Sequence, residues 1–306
     1  MEIRLKSNRK RKPMGRAPFL LSLPFVAFFI VFSYIPLFGW VYAFFDYRPG
    51  VPLLKTPFVG LKYFLEIFRE WSQTGIVIRN TLVLSFFGIL LSPLAVVFAI
   101  LLNEVKSKRF KSFIQTTTTL PNFISWIIVY GLMYSIFSMD GMVNTVFMKL
   151  GLIDQPQNIF GNADIAWYFQ IALGLWKGLG WSAIIYLAAI AGIDQEQYDA
   201  AKVDGAGRWR CMWNVTLPGV ITTYLVLLLL GISNILSNGF EQYYVFNNPL
   251  VSEKLMVLDL YVYNMGIVYG QYSYSIAIGI WKTIVGIAML LTANQISKKL
   301  RGDSII

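Results

Sequence analysis

Long stretches without a charged residue dominate this sequence and limit what it can fold into. A helix needs roughly 20 consecutive apolar residues to cross a bilayer, because it must satisfy its own backbone hydrogen bonds in lipid. Four runs carry no charge, and two more carry a single lysine, Lys177 or Lys282. The six runs are Phe19–Phe45, Asn80–Asn103, Ser112–Met139, Ile165–Ile193, Cys211–Phe240 and Leu260–Ser297.

These runs predict an all-α integral membrane protein with six transmembrane helices. Only 14% of the residues are charged, against about a quarter in soluble domains, so too few polar side chains remain to cover a water-facing surface. The six-span domain is predicted over residues 19–297, between a basic tail over 1–18 and a short C-terminal tail over 298–306. Pro218 places the start of the fifth helix near Gly219, and the sixth helix is predicted over about Tyr272–Ile296.

Lysine and arginine set the predicted orientation of the chain. Segments on one side of the membrane, which include both tails, carry 17 of these residues, and the alternate segments carry seven. Since cytoplasmic segments are richer in Lys and Arg, both termini are expected in the cytoplasm. The first run is also far longer than the roughly 7–15 apolar residues of a signal peptide, which predicts an uncleaved anchor.

The outer segment over residues 46–79 has a shorter, amphipathic pattern. Phe64, Ile67, Phe68 and Trp71 recur at helical spacing, which predicts a short helix along the outer interface. Packing of this helix against the bundle is favoured over a direct role in substrate capture.

Several kinds of chemistry lack their usual residues. The chain has no histidine, and its single cysteine, Cys211, permits neither an internal disulfide nor a cysteine metal cluster. We expect no metal, no cofactor and no catalytic residue. The net charge of +10 comes from basic residues beside the apolar runs, so nucleic acid is not an expected partner.

The polar segment over residues 194–218, between the fourth and fifth runs, has the most distinctive pattern. Gln195–Asp204 consists of good helix formers with acidic residues at its start, which suit the helix dipole. Gly205 and Gly207 are then predicted to end this helix in a sharp turn, since glycine tolerates a left-handed backbone. A second short helix is expected to run to Pro218, which opens the fifth span. Two small helices joined by a glycine turn suit docking to a partner better than they suit chemistry.

The spacing within this segment matches a known motif: Glu-Ala-Ala, three residues, Gly, nine residues and Ile-x-Leu-Pro. The sequence fits it without gaps, with aspartate in place of the glutamate and valine in place of the isoleucine. The chain therefore resembles the inner-membrane permeases of binding-protein-dependent ABC importers, and the resemblance implies that the segment is an ATPase-coupling loop. The matching residues are Asp199, Ala200, Ala201, Gly205, Val215, Leu217 and Pro218.

Other segments resemble the oligosaccharide and polysaccharide branch of these permeases: Phe32–Gly39, Phe58–Phe64, Leu120–Trp126, Gly239–Gln242 and Tyr261–Tyr263. The resemblance implies a type I importer permease fold in the lipid of a bacterial inner or plasma membrane. It also implies a second homologous permease, a dimer of cytoplasmic ATPases, an extracytoplasmic sugar-binding protein and an oligosaccharide cargo. The chain has no G-x-x-x-x-G-K-S/T phosphate loop, so ATP hydrolysis is expected in separate subunits and not in this chain.

Charged side chains inside a span are candidates for the substrate pathway because they are costly in lipid. Both lysines have aromatic neighbours, on which sugar rings stack. If both face the pathway it is electropositive and favours an acidic oligosaccharide. The structural alternative is that they bond carbonyls or polar groups within the bundle or pair with the second permease. The candidate pathway residues are Lys177, Lys282, Trp176, Trp181 and Trp281.

Alternatives to oligosaccharide import stay open at this point. The same machinery would also suit another polar solute, such as a glycerol phosphodiester. An ion-coupled secondary transporter would show internal repeats and intramembrane carboxylates, and the sequence has neither an obvious repeat nor an acidic residue within a predicted span. A membrane-embedded enzyme would need a polar catalytic cluster at depth, and none is visible.

Overall fold

The protein is almost entirely helical. A computed structural model describes residues 16–301, in which the only β-structure is an isolated bridge between Phe45 and Phe58. Most of the basic tail predicted over 1–18, and residues 302–306 of the C-terminal tail, lie outside the described residues.

The α-helices are α1 (Arg16–Phe29), α2 (Lys62–Arg69), α3 (Trp71–Leu91), α4 (Pro93–Asn103), α5 (Lys108–Thr119), α6 (Trp126–Phe137), α7 (Met142–Lys149), α8 (Ala163–Ala191), α9 (Gln195–Val203), α10 (Arg208–Cys211), α11 (Leu217–Ser233), α12 (Glu241–Phe246), α13 (Ser252–Leu255), α14 (Leu258–Tyr263) and α15 (Tyr272–Arg301). The 3-10 segments are Ile35–Phe44, Leu53–Lys55 and Leu120–Phe123. The π segments are Ile30–Tyr34, Met212–Thr216 and Asn264–Val268.

Six helical stretches of the described chain are long and apolar enough to cross a membrane, which confirms the predicted number of spans. The sixth agrees closely with its predicted bounds, since α15 begins at Tyr272. The six stretches are Leu20–Phe44, Trp71–Asn103, Trp126–Lys149, Ala163–Ala191, Arg208–Ser233 and Tyr272–Lys299.

The predicted third run, Ser112–Met139, does not form one helix. α5 ends before a 3-10 turn that contains Pro121, whose missing N–H cannot continue a helical ladder. A new helix, α6, starts after Ser125, whose hydroxyl accepts a hydrogen bond from the N–H of Ile128 at 3.4 Å. The membrane-length stretch is Trp126–Lys149, and α5 is a separate helix before it. Hydropathy alone does not detect this break, because residues 120–125 carry no charge.

The fifth helix starts earlier than Gly219. α10, the π segment Met212–Thr216 and α11 follow one another without interruption from Arg208 to Ser233. Pro218 therefore lies inside this helix and does not open it. The π segment Met212–Thr216 lies directly before Pro218. Such segments are common where a proline removes one N–H donor from the helical hydrogen bonds. We call the continuous element the fifth-span helix.

α8 lies at the centre of the bundle, in contact with α3, α4, α5, α11 and α13. Its buried positions recur every three or four residues, the spacing of one helical face. Gly180 permits a close approach, because an added Cβ would lie 2.3 Å from the carbonyl oxygen of Thr118 in α5. The buried residues of α8 are Ala166, Gln170, Leu173, Lys177, Gly180, Ala183, Tyr186 and Ile190.

The first span has little packing within this chain. Its most apolar stretch is 0% buried, and Phe25 and Phe38 are 77% and 76% exposed. The C-terminal part of the span, Ile35–Phe44, packs against α15 and α2. An apolar surface of this extent must be covered by lipid or by another protein.

α2 is the amphipathic helix that the sequence predicts in the outer segment. Ile67 is fully buried, in a cluster that includes Val77 and Leu258, while Phe68 is 56% exposed. The helix therefore packs against the bundle through one face.

The segment that follows the fifth span folds back onto α3. The side-chain amide of Asn80 donates to the carbonyl oxygens of Glu253 and Met256 at 2.8 and 3.1 Å. The hydroxyl of Thr81 accepts a hydrogen bond from the N–H of Leu258 at 2.9 Å. These bonds hold α13 and α14 against the bundle.

Candidate functional site

The polar segment over residues 194–218 folds into a bent pair of helices, which we call the elbow. The side chain of Asp194 caps α9 by accepting a hydrogen bond from the N–H of Glu196 at 3.0 Å. α9 ends at Val203, and Gly205 turns the chain with a φ of 76°. No heavy atom lies within 4 Å of the position where a Cβ would stand, so the backbone conformation alone requires glycine here. The turn at Gly205 is therefore as the sequence predicts, whereas Gly207 has an ordinary φ of −72° and does not need a left-handed backbone.

The motif residues divide between two surfaces of the elbow. Asp199 and Ala200 are exposed, and Ala201 is half-buried. Val215 is buried and Leu217 is half-buried within the fifth-span helix. The first half of the motif thus presents a surface, and the second half anchors it to the bundle.

Three large apolar side chains of the elbow lack cover in this chain. Val203 is 87% exposed, Trp209 69% and Trp213 65%. Exposed tryptophans of this kind are enriched where proteins bind partners. The hydroxyls of Tyr198 and Thr216 lie 3.0 Å apart and join α9 to the fifth-span helix. The elbow therefore combines an exposed apolar surface with a fixed attachment to a membrane span.

Asp199 is paired within α9. Its Oδ1 accepts a hydrogen bond from Nζ of Lys202 at 2.9 Å. This bond lowers the pKa of the Asp199 carboxyl and raises the pKa of the Lys202 ammonium, so both groups are charged at neutral pH. The pair is exposed and contributes little to folding stability, which leaves both charges accessible to a partner.

Arg208 ties the elbow to the loop that follows the second span. Its Nε donates to the Glu104 carboxylate at 3.0 Å, and its Nη2 donates to the Glu104 carbonyl oxygen at 2.7 Å. Two such bonds fix orientation as well as distance. The sequence carries no signal for this contact, because the partners lie 104 positions apart.

Lys177 is bound inside the protein. It is 8% exposed, and its Nζ donates to the carbonyl oxygens of Pro121 and Asn122 at 3.1 and 2.7 Å. The helix break at the proline takes these carbonyls out of the α-helical ladder; the N–H of Ile124 donates to the Pro121 oxygen at 3.2 Å, and the ammonium donates to both. This geometry agrees with the structural alternative, in which the lysine bonds carbonyls within the bundle.

Lys282 forms an ion pair with Asp259, and the two side chains are 21% and 20% exposed. No acidic residue lies within the predicted sixth run, but a carboxylate from outside this run reaches Lys282. Asp259 precedes the sixth run in the sequence, but the folding of α14 against the bundle places it beside α15. Because Asp259 balances its charge, Lys282 does not support the prediction of an electropositive pathway.

A cavity of about 670 Å³ lies between α3, α4, α8 and α11 and extends to α12. This volume is within the usual range for small-molecule sites. Among the described residues, no charged side chain lines it. Its hydroxyl and amide groups suit a polyhydroxylated molecule. The polar residues that line it are Ser85, Ser92, Gln170, Ser182, Tyr186, Tyr224, Asn234, Ser237, Asn238, Gln242 and Tyr243.

Of the predicted pathway residues, only Trp181 lines this cavity. It is 47% exposed, and its ring meets Phe123 edge-on with centroids 5.5 Å apart. Trp281 packs instead against a core cluster of α2, α3, α14 and α15, and Trp176 is 40% exposed elsewhere on α8. The structure therefore does not gather the five candidates into one site.

Two buried glutamines of the cavity wall were missed by the reasoning from sequence. Nε2 of Gln242 donates to the carbonyl oxygen of Gln170 at 3.0 Å and to its Oε1 at 2.8 Å. A glutamine within an apolar span, as at position 170, is the available signal, because an amide in lipid needs a partner.

Comparison with protein families gives a match. A model of the family described as "Binding-protein-dependent transport system inner membrane component" matches residues 91–302. The matched region contains helices α4 to α15 and therefore the elbow.

Curated relatives and solved structures also match almost the whole chain. Protein LplB of Bacillus subtilis is 40% identical, over 94% of this chain and 90% of the relative. The polygalacturonan/rhamnogalacturonan transport system permease protein YteP of the same organism is 39% identical, over 94% and 89%. A crystal structure of a bacterial ABC transporter involved in the import of the acidic polysaccharide alginate superimposes with a TM-score of 0.83, at 32% identity over 93% of this chain and 96% of that one. A second alginate transporter structure, in complex with a periplasmic protein bound to an alginate pentasaccharide, gives the same TM-score.

Proposed function

Because this chain belongs to the binding-protein-dependent transport system inner membrane components, we propose that it forms half of the translocation pathway of an ATP-driven oligosaccharide importer. The observation that carries the proposal is the fifth-span helix. This one continuous helix runs from the exposed elbow to residues that line the cavity, so displacement of the elbow reaches the cavity wall. In this proposal, partner ATPases drive the alternation between outward-open and inward-open states.

The ATPase contact in this proposal is the surface of α9 and the turn after it. Exposed Ala200 permits close approach, Val203 supplies apolar area, and Asp199 and Lys202 supply charge. The surface therefore has an apolar centre with charges at its edge, as partner interfaces often do. On this basis residues 194–218 are the coupling loop, and they lie with both termini on the cytoplasmic side of a bacterial membrane.

A second, homologous permease is the proposed partner of the first span. This span exposes its apolar surface along its length and packs against its own chain mainly near the outer end. A second six-span subunit would cover part of that surface. Surrounding lipid would cover the rest.

The proposed cargo is an oligosaccharide presented by an extracytoplasmic binding protein. Similar proteins are named for the transport of alginate and of polygalacturonan or rhamnogalacturonan. The cavity supports a sugar through its amides, hydroxyls and Trp181. Its lining within the described residues has no lysine or arginine to bind a phosphate, which disfavours a glycerol phosphodiester.

Purification of the affinity-tagged chain in mild detergent tests this proposal. We expect an ATPase and a second permease to co-purify, and ATP hydrolysis by the complex to rise when a sugar-loaded binding protein is added. A chain that purifies alone and moves sugar in response to an ion gradient, with no dependence on ATP, would contradict the proposal.

A further inference from the structure

Positive charge is concentrated at the start of α5. Four lysine and arginine residues occur within residues 106–111, and one of them, Lys111, donates to Oδ1 of Asn103 at 3.2 Å. The other three side chains are exposed, and within residues 16–301 they have no ion-pair partner. The carboxylate of this loop, on Glu104, is already bound by Arg208. We call the three unpaired residues the basic cluster: Lys106, Lys108 and Arg109.

α5 also exposes an apolar face next to the basic cluster. Phe110 and Phe113 lie one turn apart and are 55% and 66% exposed, and Leu120, directly after the helix, is 59% exposed. On the opposite side, Gln115 and Thr118 are half-buried, and the helix packs against α8. Because the outward side chains are apolar, lipid acyl chains suit this face better than water does.

The depth of the cluster follows from the packing of α5 on α8. Thr118 lies against Gly180, just past the middle of α8. Lys108 precedes Thr118 by ten residues, which corresponds to about 15 Å along a helix, and half of the hydrocarbon core is also about 15 Å thick. In the proposed orientation the basic cluster therefore lies at the headgroups of the cytoplasmic leaflet, and Phe113 lies nearer the centre of the bilayer.

We propose that the basic cluster, with Phe110 and Phe113, binds an anionic phospholipid of the cytoplasmic leaflet. The cations pair with the phosphate and the acidic headgroup, and the acyl chains pack on the two phenylalanine rings. An acidic surface of the partner ATPase would satisfy the charges, but it would not reach Phe113 at the depth of the acyl chains. The inference rests on the proposed function in one respect, the cytoplasmic placement of the elbow, to which Arg208 joins this loop.

The test measures the phospholipid that stays bound to the importer. The complete importer is reconstituted in vesicles of equal parts phosphatidylcholine and phosphatidylglycerol with the same acyl chains. It is then purified again in mild detergent, and the lipid retained per complex is measured by mass spectrometry. Lys106→Gln/Lys108→Gln/Arg109→Gln should lose about one phosphatidylglycerol per complex and no phosphatidylcholine, because only the anionic headgroup pairs with the cluster.

Two matched variants separate a lipid site from a general loss of charge. Exchanging lysine for arginine, and arginine for lysine, throughout the basic cluster keeps every charge and should retain the phosphatidylglycerol. Lys55→Gln/Arg69→Gln/Lys149→Gln removes three exposed cations from separate outer segments, and the lipid content should again be unchanged. If the triple variant in the basic cluster fails to insert because basic residues also set topology, Lys108→Gln/Arg109→Gln decides the point.

A soluble competitor separates a lipid from a free phosphate. Glycerol phosphate added in excess during purification should not displace the phosphatidylglycerol, because it has no acyl chains to pack on Phe110 and Phe113. Displacement by glycerol phosphate would overturn the proposal and make the cluster a site for a free phosphate.

An unchanged phosphatidylglycerol content in the glutamine variants would also overturn the proposal. If these variants lost the ATPase instead and kept their lipid, the cluster would be a protein contact. A preparation of the unmodified chain that lacks the ATPase would contradict the proposed function but not the lipid site, since retained lipid is still compared between variants of the same chain.

Discussion

At the scale of single residues, Gly205 joins backbone conformation to the proposed coupling most directly. Its φ of 76° lies in the left-handed region, where a β-branched side chain costs roughly 1–3 kcal/mol. We expect Gly205→Val to insert normally but to tilt α9 away from the ATPase. ATPase co-purification and sugar-stimulated ATP hydrolysis should both fall several-fold.

Two controls separate strain from the mere addition of a side chain. Gly207 has an ordinary φ of −72° and equally open surroundings, so Gly207→Val should retain assembly and transport. Asparagine tolerates the left-handed region, so Gly205→Asn should remain close to the unmodified protein. Normal coupling in Gly205→Val would show that this turn does not position the ATPase contact.

At the scale of elements, the elbow is attached to the second span as well as to the fourth and fifth spans that it connects. It continues into the fifth-span helix, and the contact between Arg208 and Glu104 joins it to the end of the second span. If the elbow moves the second and fifth spans together, loss of the Arg208 contact should weaken the coupling between ATP hydrolysis and transport. Arg208→Ala should then leave assembly intact and raise the ATP hydrolysed per sugar imported about twofold or more. An exposed pair of this kind contributes only about 0.2–1 kcal/mol to stability, so loss of folding is not expected.

The matched control for this element is Arg210→Ala, which removes the same charge from the same short helix but leaves the Glu104 contact in place. Coupling should be unchanged there. An unchanged ratio of ATP to sugar in Arg208→Ala as well would mean that the fifth-span helix transmits the motion alone.

At the scale of the whole molecule, the predicted orientation has a direct test. Cys211 is only partly exposed, so it should first be replaced by serine. In that background Leu54→Cys and Val203→Cys place thiols at positions that are 100% and 87% exposed. A membrane-impermeant maleimide should label position 54 in intact cells and position 203 only in inside-out vesicles stripped of the ATPase. The reverse pattern would place the elbow outside the cell.

The sequence by itself determined the fold class, the number of spans and the position of the elbow. These depend on local properties: apolar runs long enough for a bilayer, glycine at a turn of positive φ, and a motif at fixed spacing. The same local signals missed places where a helix breaks or continues without any change in the pattern of charged residues. The interruption at Pro121 and the unbroken helix through Pro218 both depend on how neighbouring backbone groups find partners.

Only the tertiary structure decided which groups the membrane lysines contact and where the cavity lies. The prediction that these lysines make the pathway electropositive assumed that no group of the protein pairs with them. The fold brings carbonyls to Lys177 across 55 and 56 residues, and it brings Asp259 to Lys282 from the segment between the fifth and sixth spans. Polar groups from several spans likewise meet around the cavity through packing that no single segment encodes. Such contacts join distant parts of the chain, and one sequence read locally does not specify them.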